Sequence, residues 1–200
     1  MKQTLVALDV EGVLVPEIWI ALSEKTGIAA LRRTTRDEPD YDKLMRGRLA
    51  ILDAHGIKLS QIQSVIETIV PLEGAPGFLA SLRQRLPVIL LSDTFVQFAA
   101  PLMRQLGLPV LFCNHLLVEG DRITGYQLRQ PDQKRQSVRA LRQLEYQVIA
   151  AGDSYNDTTM LSEADHGIFF RAPSAVRAQF PQFPCAEDHE QLLRLIEERL

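Results

Sequence analysis

Short apolar runs that end in polar residues are the feature that most constrains how this chain folds. Three such runs, Thr4–Leu8, Val88–Leu91 and Val148–Ala151, are each followed within two residues by an acid or a hydroxyl group. Runs of this length and apolar content are typical of strands that are covered on both faces. From Gly74 onward they alternate with helical patterns, which predicts an α/β fold with a mostly parallel sheet and helices on both of its faces.

Residues 16–72 interrupt this alternation with helical patterns alone. Asp40 and Ser60 have the side-chain oxygens that cap helix starts, so they predict where two of these helices begin. Removing the segment from the 200 residues leaves about 140, a normal size for one α/β domain. We therefore predict an α/β core formed by residues 1–15 and 73–200, with a helical unit of residues 16–72 inserted after the first strand.

The composition excludes several classes of protein. Apolar residues make up 46% of the chain and charged residues 24%, which is typical of a folded globular protein. The net charge is −3, from 22 basic and 25 acidic residues, so the broad basic surface that binds nucleic acid is not expected. No apolar run approaches the roughly 20 residues of a membrane span. Cys113 and Cys185 lie far apart and form no CxxC motif, so we expect a cytoplasmic protein with reduced thiols.

Four polar clusters lie where apolar strands end or helices begin. They are Asp9–Gly12, Ser92–Thr94, Lys134–Arg135 and Gly152–Asp157. Ligands of open α/β sheets bind outside the carboxyl ends of the strands, so these clusters meet if their strands are neighbours. Carboxylates there can hold a hard cation such as Mg²⁺, and hydroxyl, lysine and backbone N–H groups can bind phosphate oxygens. A carboxylate can also attack phosphorus to form an aspartyl-phosphate.

The same clusters carry a resemblance to the haloacid dehalogenase superfamily of phosphatases. This superfamily has four motifs. The first resembles Asp9–Leu14, the second Leu91–Thr94, the third Lys134 and the fourth Gly152–Asp157. One such motif is weak evidence, because an acid often follows a strand, but four in order at suitable spacings are strong evidence. The resemblance implies a Rossmann-like α/β core with an inserted helical cap, Mg²⁺ as cofactor and an aspartyl-phosphate intermediate.

Within this superfamily the chain is most similar to bifunctional enzymes that hydrolyse phosphoserine and transfer its phosphoryl group to homoserine. The similarity extends over nearly the whole chain and is carried by Asp9–Glu17, Tyr126–Gln130, Lys134–Ser137 and Ala151–Met160. Glu11 stands where most superfamily members have Asp, and this subfamily also has Glu there. The resemblance therefore implies a Mg²⁺-dependent phosphoserine phosphatase that also uses homoserine as an acceptor, with roles in serine and threonine biosynthesis.

The resemblance also assigns roles to residues of the reaction centre. It makes Asp9 the nucleophile and a metal ligand. It makes Glu11 the general acid and base, and the backbone carbonyl of Glu11 a further metal ligand. Asp153 is the other carboxylate ligand, and Lys134 neutralises the transferred phosphoryl group. Asp157 supports the residues that contact the substrate or metal without contacting either itself, although a plain acid at a helix start explains it equally well.

A second group of residues is implied to bind the substrate. Ser92 donates a hydrogen bond to a phosphoryl oxygen, Asn156 contacts the substrate or its phosphate, and Asp93 positions the loop. Glu17 pairs with an ammonium group, and Arg48 binds a carboxylate through a bidentate fork. Glu17 and Arg48 together suit the amino-acid head group of phosphoserine. Without the resemblance, both are ordinary charges on a helix surface.

Other interpretations stay open at this point. The strongest is a phosphatase for a different small phosphomonoester. A dehalogenase is disfavoured because Asp153 together with Glu11 suits phosphate chemistry. A receiver-like phospho-aspartate module is a non-enzymatic alternative, but it needs only about 120 residues and no helical insertion. From the sequence alone Arg135 competes with Lys134 for the phosphoryl group, and the expected partners are small molecules, with a homodimer allowed by the family.

Overall fold

The computed structural model describes residues 2–35, 37–38 and 40–200. Met1, Arg36 and Pro39 belong to the predicted core and insertion ranges but lie outside the described residues. The described chain begins with a strand, continues with helices alone up to residue 83, and then alternates strands with helices. This is the order of elements that the apolar pattern predicts.

The first apolar run, β1 (Thr4–Leu8), lies at the centre of the sheet. The other described strands are β2 (Val88–Phe95), β3 (Val110–Glu119), β4 (Arg122–Gln127), β5 (Gln147–Gly152), β6 (His166–Phe170) and β7 (Cys185–Ala186). Their order is β4-β3-β2-β1-β5-β6-β7, and neighbouring strands are parallel except for β3 and β4. The predicted fold class, an α/β fold with a mostly parallel sheet, is confirmed.

The described helices cover both faces of this sheet. They are α1 (Ile18–Thr26), α2 (Tyr41–Ala54), α3 (Leu59–Ile66), α4 (Ala75–Arg83), α5 (Val96–Gln105), α6 (Gln133–Gln143), α7 (Thr158–Glu163), α8 (Ser174–Gln179) and α9 (His189–Glu197). Short 3₁₀ segments lie at Ala29–Arg32 and Tyr155–Asp157. Among the described residues, no helix is both long and apolar enough to cross a membrane.

Two apolar clusters hold the layers together, one on each face of the sheet. Leu5 and Ala7 of β1 pack into one cluster with α6 and α7, whereas Val6 and Leu8 pack into the other with α4, α5 and α9. Because successive strand residues point to opposite faces, a strand covered on both sides must be apolar throughout. The cluster that contains Val6 and Leu8 also contains apolar residues of α1, α2 and α3, so the inserted helices share the core of that face.

The predicted starts of two inserted helices have different outcomes. Asp40 caps α2 as predicted, because its carboxylate accepts a hydrogen bond from Lys43 N at 3.1 Å. The prediction that Ser60 caps the next helix is wrong, since Lys58 occupies the N-cap of α3. Ser60 lies inside α3, and its N–H and hydroxyl both donate to the carboxylate of Asp121. A partner 61 residues away satisfies the hydroxyl, and local sequence carries no sign of it.

The strand order places a topological switch point at the centre of the sheet. From β1 the chain runs outward through β2 and β3, and it later returns to β5 on the opposite side of β1. The carboxyl ends of β1 and β5 therefore border a crevice, where ligands of open α/β sheets bind. Asp9 follows β1 and Asp153 follows β5, so the fold brings these two acids together.

Candidate active site

Asp9 lies directly after β1, at the edge where the parallel strands end. Its backbone N–H donates to Ala151 O at 2.9 Å, which joins the ends of β1 and β5. Its Oδ1 accepts a hydrogen bond from Val10 N at 2.7 Å and lies 2.8 Å from Lys134 Nζ. Only 4% of the residue is exposed. Burial raises the pKa of Asp9 well above its ordinary value, and the neighbouring Asp157 adds to the effect while Lys134 opposes it.

Lys134 is a buried cation beside Asp9. Its Nζ lies 2.8 Å from Asp9 Oδ1, 2.8 Å from Asp157 Oδ1 and 3.9 Å from Asp93 Oδ2. Burial by itself lowers the pKa of Lys134, but these three carboxylates outweigh it and raise the pKa well above its ordinary value. The ammonium group therefore stays charged while it bridges the acids. The structure places Lys134 beside Asp9, and its role at a phosphoryl group stays a prediction.

Asp157 is fully buried beneath this centre. Its Oδ1 accepts from Lys134 Nζ, and its Oδ2 accepts from the backbone N–H groups of Asp153 and Ser154 at 3.0 and 3.2 Å. Gly152 permits the close approach, because a Cβ there would overlap the Asp157 carboxyl group. Both oxygens of Asp157 are thus engaged by the protein, which favours a supporting role over that of a plain acid at a helix start.

Asp9, Asp153 and Asp157 form a cluster that fits a divalent cation. A carboxylate oxygen from each lies within 4.8 Å of the others, and all three residues are buried. Burial raises the pKa of Asp153 to about 7, and Asp157 adds to the rise, so added positive charge stabilises the ionised cluster. Gly12, at φ +83°, lets the turn after Asp9 approach, because a Cβ there would overlap the Asp153 carboxylate. Since Asp157 is engaged elsewhere, Asp9 and Asp153 are the side chains best placed to hold Mg²⁺.

Glu11 lies in the same turn, with its carboxyl group at the wall of a cavity. Its Oε2 accepts a hydrogen bond from Ile18 N at 2.9 Å. Burial raises the pKa of Glu11 to about 7, and Glu17 adds to the rise. A carboxyl group with this pKa can give and take a proton near neutral pH, as general acid–base catalysis requires.

The end of β2 and the loop after β5 provide polar groups at the cavity. Ser92 Oγ accepts a hydrogen bond from Thr94 N at 3.2 Å, and its own hydrogen can be donated to a ligand. Asn156 Nδ2 donates to Asp93 Oδ2 at 3.3 Å, which links the two loops. Gln133 Nε2 donates to Ser92 O at 2.7 Å. These hydrogen bonds hold the Ser92 hydroxyl and the Asn156 amide at the wall of the cavity.

Arg48 extends from α2 to the same cavity. Its guanidinium lies 4.4 Å from the ring centre of Trp19, and its Nη2 donates to Arg33 O at 2.7 Å. The residue is only 7% exposed, and its buried Nε has no hydrogen-bond partner among the described residues. Burial lowers the pKa of Arg48 to about 10, with Glu11 opposing the effect, so the side chain stays charged at neutral pH. A buried cation with an unsatisfied N–H group suits a carboxylate ligand.

One small cavity of about 80 Å³ brings the predicted residues together. Its walls include Asp9, Glu11, Glu17, Arg48, Ser92, Asp93, Lys134, Asp153 and Asn156. The remaining predicted site residue, Asp157, lies buried beneath the wall formed by Lys134 and Asp153. The arrangement brings together a carboxylate that can act as a nucleophile, a carboxyl group that can transfer a proton, and two cations that can bind phosphate and carboxylate groups.

Six further residues line the cavity that the sequence analysis does not identify: Trp19, Thr34, Thr35, Tyr41, Thr94 and Ser154. Periodicity marks Trp19 only as an apolar residue of a helix, because it cannot distinguish a cavity wall from a core. Tyr41 follows the helix cap Asp40, and nothing in its sequence position indicates a neighbour in β2. Thr94 and Ser154 are the exceptions, since both belong to the polar clusters that the sequence analysis describes.

A profile of the haloacid dehalogenase-like hydrolases matches residues 4–165, which extend from β1 to the end of α7. The chain belongs to this family. The matched residues contain all four polar clusters together with Glu17 and Arg48, and therefore every residue that the sequence analysis places at the site. This hydrolase keeps Glu11 in the turn after Asp9, and the longer side chain is held by the hydrogen bond from Ile18 N.

Two relatives resemble this hydrolase over most of their length. The phosphoserine phosphatase ThrH of Pseudomonas aeruginosa is 63% identical over 188 residues, which cover 94% of this chain and 92% of the relative. A phosphoserine phosphatase of Pseudomonas syringae pv. tomato is 62% identical over 186 residues, which cover 92% of this chain and 78% of the relative. Such identity over nearly the whole chain means that the relatives share the inserted helices as well as the sheet.

Solved structures show the same fold. A substrate-bound phosphoserine phosphatase complex superposes with a TM-score of 0.77 at 20% identity, covering 100% of this chain and 99% of the other. A phospho-aspartyl intermediate analogue of phosphoserine phosphatase superposes with a TM-score of 0.76 at 21% identity, covering 94% and 95%. At these identities the likeness concerns the arrangement of the elements of this hydrolase.

Proposed function

We propose that this hydrolase is a phosphoserine phosphatase that forms an aspartyl-phosphate on Asp9. The observation that carries the proposal is one small cavity lined both by the Asp9–Lys134 pair and by Arg48 with Glu17. The first pair suits phosphoryl transfer, and the second suits the carboxylate and ammonium groups of an amino acid. The names of the two Pseudomonas relatives support the same substrate.

In the first step a carboxylate oxygen of Asp9 attacks phosphorus, and the bond between phosphorus and the seryl oxygen breaks. Glu11 starts protonated and gives its proton to that oxygen, so serine leaves as an alcohol. Lys134 neutralises charge on the phosphoryl oxygens, and Ser92 donates a hydrogen bond to one of them. The pKa of about 7 keeps a substantial fraction of Glu11 protonated near neutral pH.

In the second step water attacks phosphorus, and the bond between phosphorus and the Asp9 oxygen breaks. Glu11, now ionised, accepts a proton from the water, so it returns to its starting state. Each cycle consumes one phosphoserine and one water and releases one serine and one phosphate. The same carboxyl group therefore serves as acid in one step and as base in the other.

Mg²⁺ is part of the same proposal. Asp9, Asp153 and the backbone carbonyl of Glu11 are the groups that would hold it, and the buried acid cluster suits a hard divalent cation. When bound, the ion supplies positive charge beside the phosphoryl oxygens. Asp157 contributes by holding Lys134 and the loop of Asp153 in place.

Residues 16–72 are proposed to act as a cap that selects the substrate. Trp19, Tyr41 and Arg48 come from this segment and line the cavity together with the residues of the sheet. Arg48 would bind the carboxylate of phosphoserine, and Glu17 would bind its ammonium group. The remaining residues, 1–15 and 73–200, would form the core that performs the chemistry.

Transfer to homoserine uses the same intermediate. When the hydroxyl of homoserine replaces the attacking water, Glu11 accepts its proton and the phosphoryl group passes from Asp9 to the homoserine oxygen. Homoserine carries the same carboxylate and ammonium groups as serine, so Arg48 and Glu17 can bind either. We therefore propose roles in serine and threonine biosynthesis. We also propose that the enzyme is cytoplasmic.

A phosphatase for larger phosphomonoesters is the second candidate. A cleft of about 610 Å³ adjoins the cavity and shares Tyr41, Asp93, Lys134 and Asn156 with it. This cleft has room for esters longer than phosphoserine. The two candidates differ in whether the amino-acid head group is needed.

A panel of phosphomonoesters separates the two candidates. Purified enzyme with Mg²⁺ is offered phosphoserine, phosphoethanolamine, pyridoxal phosphate and a sugar phosphate, each with and without homoserine. The proposal predicts the highest kcat/KM for phosphoserine, and phosphohomoserine as a product when homoserine is present. Preference for an ester without an amino-acid head group would contradict it. Free phosphate as the only product in the presence of homoserine would show that the enzyme has no transferase activity.

The variant Arg48→Ala tests whether Arg48 binds the amino-acid head group. It removes the guanidinium proposed to face the substrate carboxylate and keeps the side chains of Asp9, Lys134 and Glu11. We expect kcat/KM for phosphoserine to fall by at least about tenfold, in line with a charge-assisted hydrogen bond, and that for phenyl phosphate to change much less. Equal losses on both esters would show that Arg48 does not bind the head group.

A further inference from the structure

The phenol of Tyr41 joins the inserted helices directly to the phosphate-binding strand. Tyr41 is the first residue of α2, and its hydroxyl donates to the backbone carbonyl of Asp93 at 3.0 Å. Asp93 follows Ser92 at the end of β2, and its carbonyl also accepts from Asn114 Nδ2 at 3.1 Å. Asn114 is fully buried and accepts from Arg129 N at 3.0 Å, so the acceptor of the phenol is held firmly by the core.

The phenol is a stable donor in this position. Burial raises the pKa of Tyr41, and the charge of Asp93 adds to the effect, so the hydroxyl keeps its hydrogen at neutral pH. Its ring also packs edge-to-face on Tyr126, with ring centres 5.9 Å apart at 82°. The hydroxyl bond and the ring contact are therefore separate interactions, and one can be removed without the other.

The same helix carries Arg48 two turns after Tyr41. Seven residues of α-helix advance about 10 Å and return to nearly the same face. The guanidinium of Arg48 is fixed in turn by Trp19 and by the carbonyl of Arg33. The start of α2 is thus anchored beside Ser92, and a point further along the same face holds the group that would bind the substrate carboxylate.

We propose that Tyr41 determines which chain length of amino-acid phosphate ester this enzyme prefers, by fixing the distance from Arg48 to the phosphoryl site. Tyr41 acts as a positioning residue, because its hydroxyl contacts the backbone of the core and works through α2. The inference rests on the proposed function, since it takes an amino-acid phosphate ester as substrate. It concerns a residue and a contact that the phosphatase chemistry itself does not use.

Other polar contacts of α2 hold its outer side. Tyr126 Oη donates to Asp42 Oδ1 at 2.5 Å, and Arg122 Nε donates to Asp53 Oδ1 at 2.8 Å. Both acids are exposed, and both contacts tie the helix to the edge strand β4. They keep α2 on the molecule when the Tyr41 hydroxyl is removed, but they do not connect it to the residues beside Ser92.

The test is Tyr41→Phe, which keeps the ring contact and removes the hydroxyl. Steady-state kcat and KM are measured for phosphoserine, for phosphohomoserine, which is one methylene longer, and for phenyl phosphate, which lacks the head group. We expect kcat/KM for phosphoserine to fall about three- to tenfold, the value for phosphohomoserine to fall less, and the value for phenyl phosphate to stay within twofold. Tyr146→Phe, which removes a phenol outside the cavity, is the control and should leave all three values unchanged.

The outcomes separate this inference from the function on which it rests. A wild-type enzyme that does not hydrolyse phosphoserine would overturn both. A wild-type enzyme that does, together with a Tyr41→Phe variant whose ratio of phosphoserine to phosphohomoserine is unchanged, would overturn the inference alone. A loss of the same size on phenyl phosphate would also overturn it, because that ester cannot register the position of Arg48.

Discussion

At the scale of single residues, the site separates the acids by what each one contacts. Asp157 is tied to Lys134 and to two backbone N–H groups, so it is committed to structure. Asp9 shares Lys134 and borders the cavity, where we propose that it attacks phosphorus. Glu11 is half-buried at the cavity wall, and burial raises its pKa to about 7, which suits proton transfer. We therefore propose different roles for these neighbouring carboxyl groups, because their partners differ.

The role of Glu11 predicts a dependence on the leaving group. Glu11→Gln cannot protonate the seryl oxygen, so phosphoserine hydrolysis should slow by about 10²–10⁴-fold. Release of p-nitrophenolate in the first turnover of p-nitrophenyl phosphate should slow far less, because this anion leaves without a proton. Rapid mixing with absorbance detection measures the first turnover. Glu24→Gln, at an exposed position of α1, is the matched control. Equal losses on both esters would show that Glu11 does not transfer the proton.

At the scale of elements, the two connections to the inserted helices meet at His189. This residue begins α9, and its Nε2 lies 2.8 Å from Val13 O, while its Nδ1 lies 3.1 Å from Glu73 O. Val13 belongs to the turn after Asp9, and Glu73 belongs to the return segment before α4. The rings of Phe78 and Phe170 pack on the imidazole at centre distances of 5.3 and 4.7 Å. One side chain therefore contacts both connections.

Removal of this side chain should destabilise the whole fold. His189→Leu keeps an apolar group between the two phenylalanine rings but leaves two carbonyl oxygens without the imidazole. We expect the free energy of unfolding in urea to fall by about 2 kcal/mol, the usual cost of leaving buried polar groups unpaired. His55→Leu, at an exposed helix end, is the control and should change it by less than about 0.5 kcal/mol. Equal stability of wild type and His189→Leu would contradict this role.

The sequence predicts elements better than it predicts the contacts between them. The apolar runs locate the strands, and the acids that follow them locate the site, because parallel strands must end at one edge. Ser60 is the counterexample, since its hydroxyl is bound by Asp121 rather than by its own helix. The cavity positions of Tyr41 and Trp19 could not be predicted for the same reason. Tertiary packing decides which neighbour a helix face contacts, and the local sequence pattern does not indicate it.

At the scale of the whole molecule, the buried acids couple stability to pH. The pKa values of Glu11 and Asp153 are both about 7 in the folded chain, whereas their ordinary values are 4.5 and 3.8. Between about pH 4 and pH 7 the folded protein therefore binds more protons than the unfolded chain. Its free energy of unfolding should fall as the pH rises through this window when Mg²⁺ is chelated.

Urea unfolding at pH 5 and pH 7 measures this effect. Asp153→Asn removes one of the two groups, so its loss of stability between these pH values should be smaller than that of wild type by on the order of 1 kcal/mol. Saturating Mg²⁺ should stabilise wild type more at pH 7 than at pH 5, because binding favours ionised carboxylates. The same fall in wild type and Asp153→Asn would contradict the link to this acid.

The central claim is that phosphate leaves phosphoserine by way of Asp9. Wild-type enzyme is mixed with phosphoserine and Mg²⁺, quenched in acid during the first turnovers, digested and analysed by mass spectrometry. The account predicts that the peptide containing Asp9 gains one phosphoryl group, and that Asp9→Asn gives a folded protein with neither adduct nor turnover. Rapid release of phosphate with no adduct on Asp9, or an adduct on another residue, would contradict the account.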